Sequence, residues 1–138
     1  MNIALIAHDN RKELMIQFCN AYCGVLVQHT LCATADTGMQ ISAATGLPIH
    51  RFLPFANGGA QQIAARIAYN EIDMVLIFVD PNQRMPHEDV QNIMLLCDKN
   101  NIPYGSNLAS AEMLVLGLAR GDLDWRDIVN PKNKPFTA

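Results

Sequence analysis

The sequence predicts an α/β fold in three layers, a five-stranded, mostly parallel sheet with helices on both faces. Two observations carry that expectation. Met74-Val-Leu-Ile-Phe-Val79 is six apolar residues without a polar break, too short for an independent helix and suited to a strand covered on both sides. Short apolar runs then alternate with amphipathic helical segments five times along the chain, which is the pattern of strands joined by helical crossovers.

The elements follow in order. Asn2 to Ala7 is a second unbroken apolar strand, ending in His8-Asp9-Asn10-Arg11-Lys12. From Arg11 a helix is expected, with Leu14, Met15, Phe18, Cys19 and Tyr22 on one stripe and Gly24 as a stop or break near its end. His29 to Thr34 reads as a strand, and Thr34-Ala-Asp-Thr-Gly38 turns into a helix terminated by Gly46 and Pro48. Ile49 to Leu53 is a half-buried strand closed by Pro54. A loop through Gly58-Gly59 leads to a helix over 60–69, buried along Ile63, Ala64, Ile67 and Ala68. Asp80-Pro81 stops the Met74 strand, because proline offers no ladder donor and biases the residue before it toward extended geometry. Val90, Ile93, Met94 and Cys97 mark the next helix. Ile102 to Gly105 is a brief last strand, and Ser110 or Ala111 opens a very apolar helix through Leu118. Gly121 to Ala138, with Pro131 and Pro135, reads as an exposed or partner-packed tail.

Composition narrows the function classes. The 138 residues suit one domain spanning the chain, with a core that needs no disulfide support. The net charge is −3, and no basic stripe or basic–aromatic interleaving points to nucleic acid. Cys19, Cys23, Cys32 and Cys97 form no CxxC pair and sit in apolar contexts, as reduced, buried thiols do. Nothing resembles a signal peptide, since His8-Asp9 follows the short apolar run from Ile3 to Ala7 at once, and the longest apolar run falls far short of a membrane span. The expected setting is cytoplasmic.

Every strand end delivers polar groups: His8, Asp9 and Lys12; Thr34, Asp36 and Thr37; the Gly58-Gly59 turn; Asp80, His87 and Asp89. In a parallel sheet all of these ends lie on one edge, where ligands of open α/β sheets bind. Each has an ordinary reading as well. His8-Asp9 serves as a loop pair, Lys12 as a solvated charge, Thr34 and Thr37 as helix caps, and His87 with its acids as a capping arrangement. His29 and His50 fall inside strand patterns and read as structural.

The set in this order resembles the methylglyoxal synthase family. The matching stretches are Ile3 to Asp9 with Lys12, Ala33-Thr34 through Thr37-Gly38, and Ala43 to Gly46. They continue with Gly58-Gly59 before Gln61-Gln62, Asp80-Pro81 through Pro86-His87, Asn101 to Pro103, Asn107, and Gly121 through Asp127. The resemblance implies a hexamer without metal or organic cofactor that turns dihydroxyacetone phosphate into methylglyoxal and phosphate. It places His8 and Lys12 on the substrate and Thr34, Ala35, Asp36 and Thr37 in the phosphate loop. It gives His87 the enediolate oxygens, with Asp9, Asp80 and Asp89 orienting the others.

Three positions depart from the family pattern as that resemblance gives it. Ala60 stands where the catalytic aspartate base follows the Gly-Gly pair. Pro54-Phe55 stand where a Ser-Gly pair binds phosphate. Ala35-Asp36-Thr37 replace a glycine and two threonines. The expectation is therefore a lineage member whose lyase activity is weak or lost. The alternative is a non-catalytic small-ligand-binding or regulatory homologue.

Overall fold

The structure, a computed structural model, describes residues 1–82 and 87–129. Five strands form one sheet: β1 (Asn2–Ala7), β2 (Thr30–Ala33), β3 (Ile49–Arg51), β4 (Met74–Phe78) and β5 (Tyr104–Gly105). Their order is β3-β2-β1-β4-β5, and all four pairings are parallel. The helices are α1 (Lys12–Ala21), α2 (Cys23–Leu26), α3 (Ala35–Thr45), α4 (Gly59–Ala68), α5 (Glu88–Lys99), α6 (Leu108–Ala119) and α7 (Trp125–Val129).

The unbroken apolar strands are explained by what covers each face. Side chains alternate along a strand, so Ile3 and Leu5 of β1 and Met74, Leu76 and Phe78 of β4 enter one core. Met15 and Phe18 of α1, Ile41 of α3 and Val115 of α6 close it. Ala4, Ile6, Val75 and Ile77 enter the other core, closed by Ile63 and Ile67 of α4 and Val90, Ile93 and Cys97 of α5. Each full burial of such a side chain contributes about 1.5–3 kcal/mol relative to exposure. Helices cover both faces because neither face of residues 3–7 in β1 or of β4 has a polar side chain to offer water.

Several boundaries differ from the sequence expectation, each for a visible reason. The strand expected to reach Leu53 loses its regular pairing after Phe52, whose N–H donates to the Ala33 carbonyl: the Leu53 carbonyl still accepts a long bond from the Ala35 N–H (3.4 Å), but the Leu53 N–H turns to the Gln62 side chain. The last strand shortens because the Ile102 N–H is used by the Cys97 carbonyl at the end of α5, and Pro103 supplies only its carbonyl, to Val75. Gly24 does not stop the first helix. That helix ends at Tyr22 (φ −106°, ψ 23°), and Gly24 lies inside α2. Ala68 is exposed rather than part of the buried stripe of α4. Gly46 does terminate α3, in the left-handed conformation (φ 77°).

The tail needs the largest correction. It is not simply exposed, because α7 lies within it and Arg126 is 2% exposed. The Arg126 guanidinium donates from Nε to Asp73 (2.9 Å), from Nη1 to the Asn101 carbonyl (3.3 Å), and from Nη2 to the Asn70 side chain (2.6 Å) and the Ile72 carbonyl (3.2 Å). Asn70 and Asn101 both have positive φ, 56° and 54°, in the left-handed region that asparagine tolerates. Each follows the cap of a helix. The Glu71 N–H reaches back to Arg66 after α4, and the Ile102 N–H to Cys97 after α5, closing both ends in the Schellman manner. One arginine therefore ties two helix termini to the start of β4. The segment 130–138, with Pro131 and Pro135, lies outside the described residues.

Candidate functional site

The strand order reverses at β1. The chain runs outward from it through β2 to β3, then returns to its other side for β4 and β5. A crevice opens at the carboxyl ends of strands where such a switch occurs, and a cleft of about 580 Å³ is found there. Its lining includes His8, Asp9 and Lys12 after β1, Thr34, Asp36 and Thr37 after β2, Pro54 and Phe55 after β3, and Asp80 and His87 after β4. Among the described residues Asn10, Ile6, Ala7 and Ala56 complete it. The polar strand ends thus meet, as the parallel layout requires.

Both histidines are held by backbone. The ladder between β1 and β4 runs one step beyond the strands, from the His8 N–H to the Phe78 carbonyl (3.0 Å). The Asp80 N–H then donates to His8 Nδ1 (2.9 Å). An imidazole nitrogen that accepts has no proton, so the His8 proton is on Nε2. His87 caps α5 by accepting the Asp89 N–H at Nδ1 (3.1 Å), with the same consequence. Asp80 itself accepts from the Asn82 N–H (2.9 Å). Asp80 thus meets His8 through its backbone amide, whereas Asp89 meets His87 through its amide and also places carboxylate Oδ2 3.5 Å from Nδ1.

Lys12 projects from the first turn of α1 with its side chain only 14% exposed. Its Nζ donates to Asp9 Oδ1 at 2.7 Å and lies 3.9 Å from Asp36 Oδ2. The Lys12 hydrogen bond and charge hold the Asp9 carboxyl below the usual carboxylate range. Thr34 and Thr37, at the start of α3, are 4% and 2% exposed. Thr34 occupies the N-cap position, yet its hydroxyl makes no capping bond.

The other expected site residues fall behind the lining. Ala35 is half-buried in the first turn of α3, and Ala60 is buried in the first turn of α4. Gly58 (φ 108°) caps α4, and a Cβ on Gly59 would lie 2.8 Å from the Pro54 carbonyl and still nearer that of Leu53. Asp89 is set back in α5, where it accepts from Gln61 at 3.3 Å. Phe55 packs its ring edge-on to His87, with centroids 6.0 Å apart. Gln62 was not among the expected site residues. Its side-chain oxygen holds the Leu53 N–H (2.8 Å) and so shapes the turn before Pro54. Among the described residues no group of three or more His, Cys, Asp and Glu side chains is placed to hold a metal ion.

Residues 15–106 match the family model described as an MGS-like domain. The methylglyoxal synthase of Caldicellulosiruptor saccharolyticus is 59% identical over 133 residues, covering 96% of this chain and 94% of that one. The chain belongs to the methylglyoxal synthase family. The methylglyoxal synthase of Oceanobacillus iheyensis is 55% identical over 135 residues, 97% of this chain and 96% of its own. The crystal structure of methylglyoxal synthase from Elizabethkingia anophelis superposes with a TM-score of 0.77 at 35% identity, covering 83% of this chain and 76% of that one. That likeness agrees with the three-layer parallel fold described above. Among the described residues no helix is long and apolar enough to cross a membrane.

Proposed function

We propose that the cleft binds a small polar molecule and that the lyase reaction of the lineage, dihydroxyacetone phosphate to methylglyoxal and phosphate, is weak or lost in this chain. The observation that carries this reading is the pairing of Lys12. Among the described residues it is the one lysine or arginine lining the cleft, and two carboxylates already share it. A phosphate arriving there would displace Asp9 and face Asp36. One pair of like charges at ~4 Å costs about 4 kcal/mol at an effective dielectric of 20 and about 1 kcal/mol in water. Asp36 is largely exposed, which places its cost toward the lower figure. Two further features act in the same direction. The buried methyl of Ala60 supplies no base, a loss of about 10²–10⁴ in rate. Pro54 and Phe55 put a ring where the resemblance expects a hydroxyl and an amide.

Methylglyoxal formation and phosphate release from dihydroxyacetone phosphate test this directly. The unaltered chain is expected to show neither above background, and Ala60→Asp at most a trace. The reacting carbon meets a base only when remote binding energy holds the substrate in place. Adding Pro54→Ser, Phe55→Gly and Asp36→Thr to Ala60→Asp should raise the rate far beyond the product of the separate effects. Robust turnover by the unaltered chain or by Ala60→Asp overturns the reading. The enzyme reading would then stand, with Asp80, Asp89 or Asp36 as base in the unaltered chain.

The protein is further proposed to be cytoplasmic and homo-oligomeric, a hexamer by family analogy. Burial pushes the thiols of Cys19, Cys32 and Cys97 up to about 12, which suits unreactive, reduced cysteines. Met113 and Leu116 of α6 and Ile128 and Val129 of α7 are exposed apolar side chains, which supports burial against a second copy. Light scattering at micromolar concentration is expected to give a multiple of the chain mass, and the mass of one chain would refute this.

A further inference from the structure

Resting on the reading that phosphate has lost its place in the cleft, we infer that the cleft takes an uncharged polyhydroxylated ligand, a free sugar or polyol, anchored on the Thr34 and Thr37 hydroxyls. Both threonines line the cleft, and both are more than nine-tenths buried. Neither hydroxyl has a hydrogen-bond partner among the described residues. Buried polar groups are nearly always satisfied, so each such exception needs an explanation. Here the partner that fits is a ligand oxygen, since a hydroxyl both donates and accepts.

The remaining lining decides the ligand's charge. Among the described residues Asp9, Asp36 and Asp80 share the cleft with one ammonium, that of Lys12, and His8 and His87 each accept a backbone N–H at Nδ1, which leaves Nε2 as the donor. An anion would meet an excess of carboxylate. A simple cation would leave the Nε2–H groups of His8 and His87 without acceptors. A polyol answers both, because its hydroxyls donate to carboxylates and accept from imidazoles. The Phe55 ring, edge-on to His87, adds an apolar face for the C–H side of a sugar. The cleft, at about 580 Å³, lies in the ~300–1,000 Å³ range of small-molecule sites and exceeds the needs of a triose.

Ligand-detected NMR on the full chain tests the inference, with D-glucose, glycerol, D-glucose 6-phosphate and inorganic phosphate as probes. D-Glucose or glycerol is expected to bind saturably, D-glucose 6-phosphate about tenfold or more weakly than D-glucose, and Thr37→Val to weaken the neutral probe by about tenfold. Asp36→Asn is the second variant if Thr37→Val fails to fold. It should weaken the neutral probe and narrow the gap to the phosphate ester. Absence of binding by both neutral probes at millimolar concentration overturns this inference and leaves the loss of phosphate binding standing. Tighter binding of the ester than of glucose overturns the proposed function as well. Unchanged affinity in a folded Thr37→Val, or in Asp36→Asn where that variant is used, removes the anchoring assigned here.

Discussion

Arg126 and Thr37 are equally buried, each 2% exposed, and their surroundings treat them in opposite ways. At the amino edge of the sheet the Arg126 guanidinium reaches Asp73, the Asn70 side chain and the backbone carbonyls of Ile72 and Asn101. Asp73 also accepts the Asn2 N–H (2.8 Å), which fixes the start of β1 beside the start of β4. At the carboxyl edge the Thr37 hydroxyl meets no partner among the described residues. Arg126 at one edge serves the fold, while at the other Thr37 keeps a buried hydroxyl without a partner among the described residues.

Removing an amino-edge partner should have the largest effect. Arg126→Met removes the guanidinium paired with the buried Asp73 carboxylate, and about 3–5 kcal/mol of stability should be lost. Urea unfolding with an unchanged slope checks it, and a loss below 1 kcal/mol would show that the clamp is replaceable. The carboxyl edge should respond the other way. Thr37→Val keeps the shape and deletes a hydroxyl with no partner among the described residues, so unliganded stability should stay level or rise by up to about 1 kcal/mol. A clear loss in the same unfolding experiment would mean that the hydroxyl is structural and would dissolve the contrast.

The smallest effect concerns His29, again at the amino edge, whose Nδ1 lies 3.3 Å from the Met1 amino group. Burial, and then the amino-terminal charge, lower its pKa below the ordinary histidine value. Between the two values the unfolded chain binds the proton more readily, so stability is full above about pH 6.5 and declines as pH falls below it. His29→Gln should flatten that part of the stability profile. An unchanged profile would show that His29 takes no part in it.

The sequence carried the strands and the edge where the polar groups meet, because both are periodic or local. Six consecutive apolar residues mean the same thing wherever they fall, and a parallel sheet brings its carboxyl ends together whatever the strand order. The Asp73–Arg126 pair was illegible because its partners are 53 positions apart and each looks like an ordinary surface charge. The shortening of the strand after Ile49 depended on Gln62, whose amide oxygen takes a backbone N–H from a different element. The behaviour of Thr34 and Thr37 was hidden for a related reason. Their type and position suit a helix cap, and only three-dimensional placement shows that Thr34 does not act as one.

Gly59 makes a separate point. A side chain there would strike the carbonyls of Leu53 and Pro54, so the residue is dictated by how the chain folds back before α4. The neighbouring Gly58 is dictated by its positive φ. Neither requirement refers to a reaction. A glycine pair of this kind remains compulsory when the residue beside it, here Ala60, has no acid–base chemistry to contribute. Such a signature identifies ancestry and backbone path. Evidence for turnover has to come from positions that the architecture leaves free to vary.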